Sequence, residues 1–95
     1  MLIQTLVPPV AGRPFRFTVA GCAGETIIKV YANSKQILKR ECNDLLCQSV
    51  AEIPRGTEGT TLEIYATDSA GHDQTLVYDI SESDPGPHSM LSKTR

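Results

Sequence analysis

Between residues 60 and 80, apolar and polar side chains alternate with a period of two on both sides of a polar turn. Leu62, Ile64 and Ala66 alternate with Glu63, Tyr65 and Thr67, and after Asp68-Ser69-Ala70-Gly71-His72-Asp73 a second run places Leu76, Tyr78 and Ile80 on one face. This pattern predicts a β-hairpin with one apolar and one solvated face. A hairpin of this kind is stable only if the rest of the chain covers its apolar side.

The preceding residues read as further strands. Met1-Leu2-Ile3 is apolar but soon meets Pro8-Pro9, which rule out a helix and disfavour a central strand, so residues 1–12 are expected to form a short edge strand or an extended lead-in. In PFRFTVA, Phe15, Phe17 and Val19 alternate with Arg16 and Thr18, and Gly21 to Glu25 follow as a turn. Thr26 to Ala32 is the next strand, with Ile28, Val30 and Ala32 on one face and Ile27, Lys29 and Tyr31 on the other. Asn33-Ser34 marks a turn, and Gln36 to Arg40 reads as a strand returning from it. A helix from Ser34 to Cys47 competes for this stretch, but the all-β surroundings favour the hairpin. Gln48 to Ile53 is another strand, stopped by Pro54.

Turn signals thus recur every 8 to 12 residues or so, the pattern of an antiparallel sandwich. The expected fold is all-β, an Ig-like antiparallel β-sandwich of about seven strands, filling residues 1–81. Residues 82–95, rich in Ser, Pro and Gly, are expected to be a disordered tail or linker.

Composition narrows the function. With 95 residues the chain has room for one modest core, and with no Trp and only five Phe and Tyr that core must come from Val, Ile and Leu. A net charge of -2 and a basic cluster (Lys35, Lys39, Arg40) offset at once by Glu41 and Asp44 argue against nucleic-acid binding. No apolar run approaches the roughly 20 residues of a membrane span. The first residues lack the basic and apolar regions of a signal peptide, so an exported chain would have had its leader removed, and an intracellular chain is the other reading.

The three cysteines are an odd number. Cys42 and Cys47 bracket Asn43-Asp44-Leu45-Leu46, a spacing that a tight loop can close as a disulfide. Cys22 is left as a buried small side chain or as a partner for a cysteine brought near by the fold. His72 and His88 lack the paired spacing of a zinc site, and no cofactor or metal is expected. Asp68 and Asp73, with Asp44 or Glu58, are the candidate ligands for calcium, but without a spaced D-x-D-x-D series they read better as turn-capping acids. Ser69 and His72 share one turn, too close along the chain for a usual catalytic triad, and no enzyme is expected.

The segments IKVYANSKQIL and VAEIPRGTEGTTLEIYATDSAGHDQTL resemble the bacterial Ig-like repeats of surface adhesins and secreted multidomain proteins. Val30-Tyr31-Ala32-Asn33, Gly59, Leu62, Ile64, Ala66, Asp68, Ala70 and Gly71 fall in matching places. Ser34 stands where that family has a turn Gly, His72 replaces an Asn, and the cysteine loop replaces a D-G-T-W segment. The resemblance covers residues from about 15 to 80. It implies a non-catalytic module, a structural spacer or an adhesion and protein-binding domain of a cell-surface, secreted or periplasmic protein. Its partners would be neighbouring domains, another protein or a glycan.

The alternative is a small free-standing partner-binding protein, such as an assembly factor, inhibitor or virion decoration protein. In either case the loop of Asn43, Asp44, Leu45 and Leu46 is the preferred binding surface. Its two leucines are either presented to a partner or tucked into the core, and the tucked position is the first expectation. Tyr31 and Tyr65, on one outward sheet face with Lys29 and Glu63, make a second candidate surface for a glycan or protein, but ordinary cross-strand pairing is the favoured reading of them.

Overall fold

The computed structural model describes residues 1–82. Among them are seven strands and no helix: β1 (Leu2–Thr5), β2 (Pro14–Ala20), β3 (Thr26–Ala32), β4 (Lys35–Cys42), β5 (Leu46–Glu52), β6 (Thr61–Asp68) and β7 (Asp73–Asp79). The expected C-terminal tail lies outside the described residues, apart from its first position. All strand pairs are antiparallel, in a three-stranded sheet of order β1-β2-β5 and a four-stranded sheet of order β4-β3-β6-β7. The two sheets pack face to face as an immunoglobulin-like sandwich. In the constant-type arrangement the fourth strand joins the sheet of the first, second and fifth; here β4 stays beside β3.

The period-two pattern explains the packing. Phe15, Phe17 and Val19 point inward from β2, Ile28, Val30 and Ala32 from β3, and Leu62, Ile64 and Ala66 from β6, and all are buried. Fully burying side chains such as Phe15, Ile28 and Leu62 stabilises by about 1.5–3 kcal/mol each. Phe15 lies with its ring centroid 6.0 Å from Phe17 and 6.2 Å from Tyr78, so β7 closes over the aromatic end of β2.

The β3–β4 hairpin turns on Asn33 and Ser34, with φ of 53° and 66°. Two successive left-handed residues make the type I′ geometry that matches strand twist. Three residues later the ladder slips: Tyr31 pairs with Gln36, but Val30 pairs with Leu38, leaving Ile37 as a bulge. In unbroken register Leu38, Arg40 and Cys42 would face outward, because a one-residue shift exchanges the faces. The bulge instead sets Leu38 opposite Val30, Arg40 opposite Ile28 and Cys42 opposite Thr26, all on the inner side.

Cys47 also faces inward, opposite Val19 on β2. Cys42 and Cys47 therefore meet between the sheets, with their sulfurs 1.98 Å apart, at disulfide-bonding distance. Nearby, the Arg40 guanidinium donates to the Gln48 carbonyl and to Ser49 Oγ on β5. The opposite margin is closed by the side chain of Gln74, which accepts the Ile3 N–H at 2.7 Å, and by Thr5 and Tyr78, whose oxygens are 3.1 Å apart. Side chains from the four-stranded sheet thus cap backbone groups on both edges of the three-stranded one, which blunts them against edge-to-edge pairing.

Candidate functional site: the loop end of the sandwich

Strand directions bring the β2–β3, β4–β5 and β6–β7 connections to the same end of the sandwich as the start of β1. They are fastened to one another. The Cys22 N–H donates to the Leu45 carbonyl at 3.2 Å, and Ser69 Oγ donates to the Glu25 carbonyl at 3.1 Å. Gly24 takes φ of 79° and lies so close to Ser69 that an added Cβ would come within 3.1 Å of it, so only glycine fits both the backbone and the contact.

Asp68 is the centre of these ties. Its Oδ1 accepts the N–H groups of Ala70 (3.1 Å) and His72 (2.9 Å); its Oδ2 accepts the Ala23 N–H (3.1 Å) and the His72 ring at Nδ1 (3.0 Å). Gly71, with φ of 87°, donates to the Asp68 carbonyl and completes the turn. Burial of the carboxyl pushes its pKa up. The hydrogen bonds from the His72 ring and from the Ala23 and His72 N–H groups, with the His72 charge, outweigh burial and bring it from 3.8 down to about 2.

The calcium candidates look different against this geometry. The Asp68 carboxylate is fully shielded and both oxygens are occupied by donors, so it serves the turn. Asp73 is exposed on the same end, Asp44 lies in the β4–β5 loop, and Glu58 is at the opposite end in the β5–β6 connection. Among the described residues no group of three or more His, Cys, Asp or Glu gathers for a metal ion. Ser69 is engaged with Glu25 and His72 with Asp68, so these two side chains serve different partners. Cys22 is a buried free thiol whose Sγ lies 3.5 Å from the Val19 carbonyl.

The cysteine-bracketed loop is shorter than its spacing suggests. β4 runs through Cys42 and β5 begins at Leu46, so only Asn43, Asp44 and Leu45 form the connection. The leucines are not tucked in: Leu45 is 77% exposed and Leu46 51%. The inward cysteine next in line explains this, because alternation along β5 turns Leu46 outward when Cys47 turns in. Register then aligns Leu46 with Ala20 and Ala20 with Leu2, which is 48% exposed. An apolar row therefore crosses the outer face of the three-stranded sheet at the loop end, with Leu45 beside it. Leu2 and Ala20 join this surface only through the cross-strand register, which their positions in the sequence do not signal.

The two tyrosines share the outer face of the four-stranded sheet, as their spacing suggests. Their rings meet edge to face, with centroids 5.6 Å apart at 86°, over a shallow depression that Lys29, Glu63 and Thr67 also line. The Tyr65 hydroxyl donates to Glu63, and that bond, with burial and the Glu63 charge, holds its pKa above the ordinary 10.0. Among the described residues no helix is long and apolar enough to cross a membrane.

Fold and site together define an immunoglobulin-like antiparallel sandwich with a fastened, partly apolar loop end. No protein-family model matches the chain, and no curated protein or solved structure is found to be similar to it.

Proposed function

We propose that the chain is a non-catalytic interaction module of a cell-surface or secreted assembly, akin to the bacterial Ig-like repeats it resembles, and that it engages another protein or a neighbouring domain through its loop end. The observation that carries this reading is the exposure of Leu45 and Leu46 on a connection held at both ends by Cys42 and Cys47. Exposed leucines on a floppy loop would lose conformational freedom on contact. A loop fixed beforehand loses less and binds better for the same surface. A cross-link between the cysteines fits an oxidising compartment, which supports an extracytoplasmic location.

A spacer role is the second reading, supported by the path of the chain. It enters at the loop end, leaves β7 at the opposite end, and is tied there by hydrogen bonds between Ser81 and residues 9 and 11. A free-standing binder would use the same loop. A glycan contact at Tyr31 and Tyr65 has weaker support, because edge-to-face packing sets one ring against the other instead of leaving two open rings to stack on a sugar.

A photo-crosslinking residue placed at Leu45, and separately at Val77 on the outer face of the other sheet, tests the proposal in the native host. Discrete adducts from position 45 and none from 77 are expected; adducts from 77 alone, or from neither, refute it.

A further inference from the structure

The loop end is not only apolar. Glu25, Glu41, Asp44 and Asp73 are exposed on the three connections and the strand residues that adjoin them. Every lysine and arginine among the described residues lies elsewhere, Arg40, nearest along the chain, being held against β5, so the Met1 amine beside Gly21 faces four carboxylates at this end. Like-signed charges within about 10 Å reinforce one another at physiological salt. The end therefore presents its leucines beside Asp44 and Glu25 with a net negative charge, Glu41 and Asp73 lying on the outer face of the other sheet opposite Ile27 and Thr67.

Resting on the interaction role proposed above, we infer that the partner is a protein segment with apolar side chains flanked by lysine or arginine. Its apolar residues cover Leu2, Ala20, Leu45 and Leu46, and its cations face Asp44 and Glu25. A second copy is a poor occupant, since joining two loop ends would bring like charges together, and an anionic lipid surface or nucleic acid would be repelled for the same reason. The ties through Asp68, the Cys22 N–H and the cysteine pair keep the three connections in one arrangement, so leucines and carboxylates are offered together.

The test is a selection of displayed random peptides on the immobilised chain, with the variant Leu45→Ser/Leu46→Ser as the counter-selection. Both leucines are exposed, and the variant's thermal unfolding confirms that it folds. Enriched peptides with apolar residues and excess Lys or Arg are expected. They should lose binding to the double-serine variant, and weaken about tenfold in Glu25→Gln/Asp44→Asn and on raising the salt from 0.05 to 0.5 M, as two to three exposed ion pairs allow. Peptides that need the leucines but show neither basic excess nor salt dependence overturn this inference and leave the interaction role standing. Failure to enrich any peptide that distinguishes the chain from the double-serine variant overturns both. Sedimentation of the chain alone should show a monomer; a dimer abolished by the leucine substitutions makes a second copy the occupant and overturns the inference.

Discussion

Reducing the cysteine pair should loosen the whole sandwich, because it is the only covalent tie between the sheets that bypasses the short β4–β5 connection. The loop it closes has a sequence separation of 5. In the chain-entropy treatment, closing a loop this short removes about 7 cal/mol/K from the unfolded ensemble, or about 2 kcal/mol at 25 °C. For a domain of this size that corresponds to a fall in Tm of about 8–16 °C. The variant Cys42→Ala/Cys47→Ala should lose more, about 3–5 kcal/mol, because each substitution also deletes a buried sulfur, an effect comparable to the 0.5–1.5 kcal/mol or so of an Ile→Val change.

The assay is urea unfolding of the chain with and without reductant, with thiols counted by mass spectrometry under each condition. Untreated protein should show one free thiol, Cys22, and reduced protein three. A stability loss below about 0.5 kcal/mol with all three thiols free would refute the reasoning. The loop would then be held by Arg40 and the Cys22 N–H, and the unfolded chain would gain no freedom that matters.

Other consequences follow from single contacts. Ser34→Gly removes the side chain from a left-handed residue (φ 66°) and should stabilise by about 0.5–1 kcal/mol in urea unfolding, whereas Ser34→Val should destabilise. Lys29 and Lys39 stand directly opposite each other on the outer face, so Lys39→Glu should gain about 0.2–1 kcal/mol, less at high salt, as read by thermal melts at two ionic strengths. The folded pKa of Asp68, about 2, lies below its ordinary 3.8, so the unfolded chain binds more protons between these values. The stability this group contributes is complete above about pH 5 and falls away as pH drops through 3.8 and then 2; melts from pH 1.5 to 7 should show a slope in that window that is lost in Asp68→Asn.

The strands were legible because burial imposes a period of two. Phe15, Phe17 and Val19, and Leu62, Ile64 and Ala66, declare their sheet faces directly in the sequence. The extent of β4 was less legible. Its apolar Ile37 and Leu38 are adjacent and break the alternation, which is why a helix competed; the adjacency is the mark of the bulge, with Ile37 as the extra residue. Because the bulge reverses the faces, the inward position of Arg40 and Cys42 could not be read from alternation on either side of it.

The same limit applies to the candidate site, and it shows which kind of surface a sequence conceals. Leu45 and Leu46 stood out as neighbours in a cysteine-bracketed loop, but their exposure depends on Cys47 facing Val19, a fact of register between strands far apart in the chain. Leu2 lies more than 40 residues from Leu46 and joins it only through Ala20, which is small enough to leave the row unbroken. The negative charge is equally dispersed, with Glu25, Asp44 and Asp73 on three different connections. Each residue alone is an ordinary surface position. Their meaning arises when Asp68 ties Ala23 to the β6–β7 turn and Cys22 ties the same connection to Leu45, so that three unremarkable segments become one fixed surface.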